Sequence, residues 1–136
     1  LDANATHGSD SEESAKRELE FFFPVKPNKP RNGLQVTLAL IKPDAVRAGY
    51  EKDIIARIKY DGFVIRDRVE RVLNEDDINK FYSDLKDMKF FPSLRDFMTE
   101  KEYGDDKKGV IAMKVERANA ILEWRNLIGP TKREEN

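Results

Sequence analysis

The chain has 136 residues, enough for one ordinary domain and tight for two. Its 25 basic and 26 acidic residues nearly cancel, which leaves no net positive footprint for a nucleic acid. With no cysteine and one histidine, disulfide scaffolds, thiolate metal sites, cysteine nucleophiles and multi-histidine metal clusters are all excluded within one chain. No apolar run approaches the ~20 residues of a membrane span, and no apolar signal core lies near the start. The composition therefore reads as a soluble domain of a reducing compartment, cytoplasmic by expectation, with eight Phe, four Tyr and one Trp available for a core.

In chain order, residues 9–23 read as a capped helix. Ser9 and Glu12 have capping-box spacing, Ala15, Leu19, Phe22 and Phe23 recur at helical spacing, and Pro24 ends the run. Residues 25–35, with Pro27, Pro30 and Gly33, read as an extended linker. Residues 36–42 (VTLALIK) form an apolar run of strand length that Pro43 stops. Asp44 can cap a helix running to about Tyr60, with Ala45, Ile54, Ile55 and Ile58 on its apolar face. Gly62 then breaks the chain before a strand over 63–73 whose alternation is imperfect. Residues 74–87 return to helical spacing, a shorter helix follows Pro92, and 100–108 (EKEYGDDKK) is a charged loop. A strand over 109–115 and a helix over 117–128 close the pattern, with Gly129-Pro130 ending the helix. From residue 36 onward this order suggests an α+β sandwich, an antiparallel or mixed sheet with helices on one face. It matches a split βαβ, or ferredoxin-like, unit without its last strand, which residues 1–8 can supply by folding back.

The chemistry-bearing residues are ambiguous one at a time. Neither the P-loop pattern nor G-x-G-x-x-G nor G-x-S-x-G is present, so phosphate binding here must rest on side chains. A lone histidine is more often a bystander, but His7 has local features that favour a role. Gly8 allows close approach, a helix starts just beyond it and offers backbone N–H groups to an anion, and Glu18 can reach back to orient the ring. Neutral imidazole is a competent phosphoryl acceptor. Lys42 is either a strand-end lysine reaching solvent or a charge held over a ligand, and Tyr82 either packs in the core or turns its hydroxyl to a site. Arg125 and Thr131, on either side of Gly129-Pro130, read alone as an ordinary helix end.

Taken together, four segments are specific: residues 37–46 (TLALIKPDAV), 81–94 (FYSDLKDMKFFPSL), 124–131 (WRNLIGPT) and 4–24 (NATHGSDSEESAKRELEFFFP). With them the chain closely resembles the nucleoside diphosphate kinases. The resemblance covers almost everything but the linker and the charged loop. Its order is altered, because in the family the histidine block follows the Gly-Pro-Thr segment, whereas here it comes first. A circular permutation and an excerpt across the junction of two tandem domains both produce this order. The cost of an open sheet edge and of unpartnered aromatics favours one compact domain over 1–136. In that domain, 1–24 is the histidine block, 25–35 the linker and 36–136 the main body.

The resemblance implies a fold and a reaction. The fold is the ferredoxin-like sandwich with its antiparallel sheet covered by helices. The reaction is a ping-pong transfer of the γ-phosphoryl group from a Mg²⁺-bound nucleoside triphosphate, ATP or another, through a phosphohistidine, to a nucleoside diphosphate. By residue match His7 is the nucleophile, with Glu18 and Ser9 positioning its ring. Lys42 and Tyr82 contact the transferring phosphate or the ribose hydroxyl, Arg125 and Thr131 hold the diphosphate, Asn4 holds the ribose, and Phe90 stacks on the base with Leu94 beside it. Mg²⁺ arrives with the nucleotide rather than on protein ligands, and neither a nucleic acid nor a membrane is an expected partner. A homo-oligomer, hexamer or smaller, is expected, in the cytoplasm or, for a tandem protein, in ciliary or cytoskeletal structures. The family's Pro-Gly-Thr-Ile-Arg stretch, which brings a second phosphate-binding arginine, is not in this sequence. The alternative reading is therefore a catalytically weak module of the same fold, serving assembly or nucleotide sensing.

Overall fold

The computed structural model describes residues 5–24 and 29–129. Strand β1 (Thr6–Gly8) and helix α1 (Glu12–Phe22) come first, then β2 (Gln35–Ile41), α2 (Pro43–Arg47), α3 (Glu51–Tyr60) and β3 (Val64–Arg71). Helices α4 (Glu75–Phe81) and α5 (Phe91–Met98), strand β4 (Val110–Arg117) and helix α6 (Ala120–Ile128) complete the order, with short 3₁₀ turns at Ser83–Leu85 and Lys101–Tyr103.

Among the described residues the sheet has four strands in the order β1-β2-β4-β3, every neighbouring pair antiparallel. Because β4 lies antiparallel between them, β2 and β3 run parallel, which is the split βαβ arrangement. The edge position left open by the body is filled by β1, paired as Thr6↔Ile41, His7↔Leu40 and Gly8↔Ala39. The sheet is thus completed from the histidine block, as expected.

Helices cover both faces of the sheet, not one. The reason is in β2 and β4, whose consecutive residues are buried, so each strand must be covered on either side. Leu38, Leu40, Val110 and Ala112 pack with Leu19 and Phe22 of α1, Phe23 just beyond it, Ile78 and Phe81 of α4, and Phe91 and Met98 of α5. On the other face Ala39, Ile41, Ile111, Met113 and Val115 pack with Ile54 and Ile58 of α3 and Ala120, Trp124 and Ile128 of α6. The charged strand β3 alternates exposed and half-buried positions, and its pairing with β4 shifts register between Ile65 and Asp67.

Several boundaries differ from expectation for identifiable reasons. The helix expected over 44–60 is two helices, because Gly49 adopts φ +82° and turns the chain between α2 and α3. Lys42, not Asp44, is the N-cap of α2, with Pro43 in the first turn. The cap of α1 is Ser11, paired reciprocally with Ser14, so the Ser9–Glu12 box does not form. The helix expected over 74–87 ends at Phe81 and gives way to a 3₁₀ turn. Helix α6 starts at Ala120 rather than 117, because β4 extends through Arg117. The charged 100–108 segment is pinned rather than merely solvated. Buried Glu100 accepts from the N–H groups of Lys108 (3.0 Å) and Gly109 (2.7 Å) and from Arg47 Nη2 (2.7 Å). Burial pushes this carboxyl up, but those donors outweigh it and hold Glu100 below the usual carboxylate range.

Candidate active site

Three residues of β1 carry the histidine into place. Pairing of His7 with Leu40 sets its backbone at the sheet edge, and the N–H of Lys42 donates to the carbonyl of Ala5 at 2.8 Å, so the end of β2 is tied beside the histidine. On the far side of the strand, Trp124 Nε1 donates to the His7 carbonyl at 3.1 Å. A Cβ on residue 8 would sit 2.6 Å from that same Nε1, so only glycine lets the indole pack this close. The His7 ring meets Phe81 edge-on at 5.3 Å between centroids and Tyr82 at 5.7 Å.

Helix α1 supplies the orienting carboxylate. Glu18 is 6% exposed, and its Oε1 lies 3.0 Å from His7 Nε2 and accepts from Ser9 Oγ at 2.7 Å. An ionised carboxylate has no proton to donate, so this contact places the imidazole proton on Nε2 and the lone pair on Nδ1. Among the described residues Nδ1 has no hydrogen-bond partner. Ser9, 1% exposed, stands behind Glu18 rather than at the surface. Asp10 accepts from Ser14 Oγ at 2.7 Å. That hydrogen bond, helped by the nearby guanidinium of Arg125, outweighs burial and lowers its carboxyl below the usual range. The start of α1 is not the open anion cradle the sequence suggested. The N–H groups of Asp10, Ser11 and Ser14 go to serine hydroxyls, and Glu12 and Glu13 fill the first turn.

A cleft of about 690 Å³ opens over the histidine. Of the residues singled out in the sequence, His7, Glu18, Lys42, Tyr82, Phe90, Leu94 and Arg125 all line it. Asn4 and Thr131 lie outside the described residues. The sequence reading did not assign Asp10, Arg17, Asp44, Asp84, Ser93 or Phe97 to the site, yet they line the same cleft. Asp10 stands within the histidine motif and Arg17 directly before Glu18, so proximity to those residues was the available signal. The buttress from Trp124 had none, since its spacing reports only burial. A second opening, about 620 Å³, shares Asp44, Ser93 and Phe97 with the first and runs toward Arg47 and Tyr103.

Comparison with known proteins places this chain in a family. The family model described as "Nucleoside diphosphate kinase" matches residues 35–136, the body without the histidine block. The nucleoside diphosphate kinase of Streptococcus agalactiae serotype V is 37% identical over 99 residues, covering 72% of this chain and 66% of that protein. The solved nucleoside diphosphate kinase of Aquifex aeolicus superposes with a TM-score of 0.64 at 29% identity, over 71% of this chain and 64% of that one. The Halobacterium salinarum enzyme, solved in complex with CDP, gives 0.64 at 28% identity, over 71% and 59%.

Longer proteins match through the histidine block as well. "Thioredoxin domain-containing protein 3 homolog" of Heliocidaris crassispina is 38% identical over 130 residues, 94% of this chain and 13% of that protein. Human "Thioredoxin domain-containing protein 3" is 34% identical over 135 residues, 99% of this chain and 20% of its own length. The chain thus spans about a fifth or less of these curated relatives. Coverage this high means that these alignments extend over most of the first 24 residues as well as the body. From the body's sequence match and its superposition, the chain belongs to the nucleoside diphosphate kinase family.

Proposed function

We propose that the cleft binds nucleoside di- and triphosphates and that His7 carries a phosphoryl group between them. The observation that supports this most is the His7–Glu18–Ser9 arrangement, which among the described residues leaves Nδ1 without a hydrogen-bond partner in a cleft shared with Lys42 and Arg125. In the forward half-reaction the Nδ1 lone pair forms a bond to the γ-phosphorus of a Mg²⁺-nucleoside triphosphate. The bond between that phosphorus and the β–γ bridging oxygen breaks, and its electron pair leaves with the diphosphate. A second diphosphate then attacks the phosphohistidine through its terminal oxygen and restores the imidazole. Mg²⁺ enters as part of the substrate.

The protein's contribution is positioning and charge. Glu18 fixes the ring and stabilises positive charge on it as the N–P bond forms, and Ser9 fixes Glu18. Lys42 and Tyr82 meet the transferring phosphoryl group or the ribose hydroxyl, and Arg125 the diphosphate. Phe90, half-buried at the mouth, stacks on the base with Leu94, a contact every base can make. Asn4 and Thr131 are assigned to the ribose and the diphosphate by resemblance alone. On this reading residues 1–136 act as one folded unit, and a homo-oligomer is the expected assembly.

Intact mass after brief incubation with Mg-ATP, with and without acid, tests the proposal. One acid-labile phosphate that a nucleoside diphosphate discharges supports it. Bound ATP without phosphorylation favours the second reading, a nucleotide-binding module with weak turnover. That reading draws on the relatives that match through the histidine block, which are named as thioredoxin domain-containing proteins rather than as nucleoside diphosphate kinases.

A further inference from the structure

Among the described residues the arginines divide sharply by how they are held. Arg31, Arg47, Arg57, Arg66, Arg68 and Arg71 each reach a carboxylate oxygen at between 2.7 and 2.9 Å. Arg117 donates to the carbonyls of Asp61 (2.7 Å) and Ala118 (3.0 Å). Arg95 lies 3.7 Å from Asp96, away from the cleft over His7. Arg17 and Arg125 are the exceptions that line that cleft, and among the described residues neither makes a hydrogen bond. The polar contact of Arg17 is a loose one, Nη2 to Glu18 Oε2 at 3.7 Å, with the arginine side chain 49% exposed.

Both guanidiniums line the cleft over the histidine; Arg125 acts on the Asp10 carboxylate, while Arg17 stands beside Glu18. Because Glu18 Oε1 is occupied by His7 and Ser9, Arg17 meets only the other oxygen and keeps most of its N–H donors for something else. A planar guanidinium with unsatisfied donors at the mouth of a cleft suits a phosphate oxygen pair.

We propose that Arg17 is a phosphate-contacting residue of this cleft, binding the di- or triphosphate of the nucleotide from the α1 side as Arg125 does from the α6 side. The inference rests on the nucleotide reading above. It gives the cleft a second arginine in addition to Lys42, contributed by the histidine block itself.

The test is a double-mutant cycle on Mg-ADP affinity, using the full chain, Arg17→Ala, Glu18→Gln and the double variant, with melting curves to establish folding. Removing the phosphate contact is expected to weaken Mg-ADP binding about five- to tenfold, with or without the Glu18 change, and Arg17→Lys is expected to recover part of the loss. In turnover, the KM for Mg-ATP is expected to rise by the same factor, with kcat changing less. A loss under twofold overturns the assignment, as does a loss that vanishes in the Glu18→Gln background, which would mean Arg17 acts only through Glu18. If the unmodified chain binds no Mg-ADP, the nucleotide reading itself fails and takes this inference with it. Normal binding that is indifferent to Arg17 sinks the inference alone.

Discussion

Two buried glutamates on the same sheet-and-helix framework are treated in opposite ways. Glu116, at the end of β4, is completely buried and accepts from Arg31 N–H (2.9 Å), Arg31 Nε (2.8 Å) and Arg66 Nη1 (2.7 Å). Glu18, at the histidine, faces an imidazole, a hydroxyl and one loosely placed arginine. The first carboxylate is fully neutralised by groups that stay charged at any ordinary pH, and it anchors the residues leading into β2 to the body. In the proposed phosphoryl transfer, the second supplies charge to a ring that becomes positive as the N–P bond forms. A buried charge serves structure when its partners are fixed and complete, and it serves chemistry when its partner can change state.

Breaking each end of that contrast gives different readouts. The largest effect is expected from His7→Ala, with phosphoryl transfer and acid-labile phosphate both lost by about 10³-fold or more. The melt should move far less than the activity, because the ring's aromatic neighbours are edge contacts and Glu18 keeps its bond from Ser9 Oγ after losing the ring. A variant that still takes up acid-labile phosphate removes His7 from its role.

Glu116→Gln should instead cost stability, about 2–3 kcal/mol at pH 7 in a denaturant titration, with charge-assisted bonds lost. Burial pushes this carboxyl up, yet the Arg31 N–H and the guanidiniums of Arg66 and Arg31 outweigh it and hold it below its ordinary value. A lowered folded-state value means that its stabilisation is present above the unfolded carboxylate range and is lost as pH falls through the folded value. The gap between wild type and Glu116→Gln should therefore stay constant from pH 7 to 5 and narrow below about 4. A gap independent of pH throughout the acid range contradicts the assignment.

Gly8→Ala tests the buttress behind the histidine. Its new methyl collides with the Trp124 indole, so a loss of about 2 kcal/mol is expected in thermal or urea melts, together with reduced phosphorylation as β1 shifts. Glu18→Gln sharpens the chemical side of the comparison. It keeps a hydrogen-bonding group but removes the charge, so a rate about tenfold lower, or ~1.4 kcal/mol, is expected with an unchanged melt. The smallest effect belongs to Arg31→Ala. That side chain is 60% exposed and its backbone N–H still reaches Glu116, so less than about 1 kcal/mol should be lost.

Much of this arrangement was legible in the order of residues. The apolar run of β2, the proline after it, the aromatic end of α1 and the glycine-ended α6 each reflect local physics that tertiary packing did not override. The His-Gly-Ser-Asp-Ser block and the Lys-Pro-Asp turn carried the site. Less legible were features that depend on who stands opposite. Continuous burial of β2 and β4 implies cover on both faces, but an apolar run alone does not say how many helices arrive or from where. Ser9 and Ser11 have the same chemistry two positions apart, yet only packing decided that Ser11 caps the helix while Ser9 turns inward to Glu18.

The sequence by itself determined which groups were available: one imidazole, a nearby carboxylate, a strand-end lysine, a tyrosine and the cleft-side arginine of α6. It also determined that the imidazole precedes the body that needs it. Tertiary structure decided that β1 closes the edge of β2, because backbone donors and acceptors along an open strand are satisfied most fully by a neighbouring strand. It also decided which arginines are bound up in ion pairs and which stay open toward the cleft, since that depends on carboxylates brought near from distant parts of the chain, such as Arg31 and Glu116.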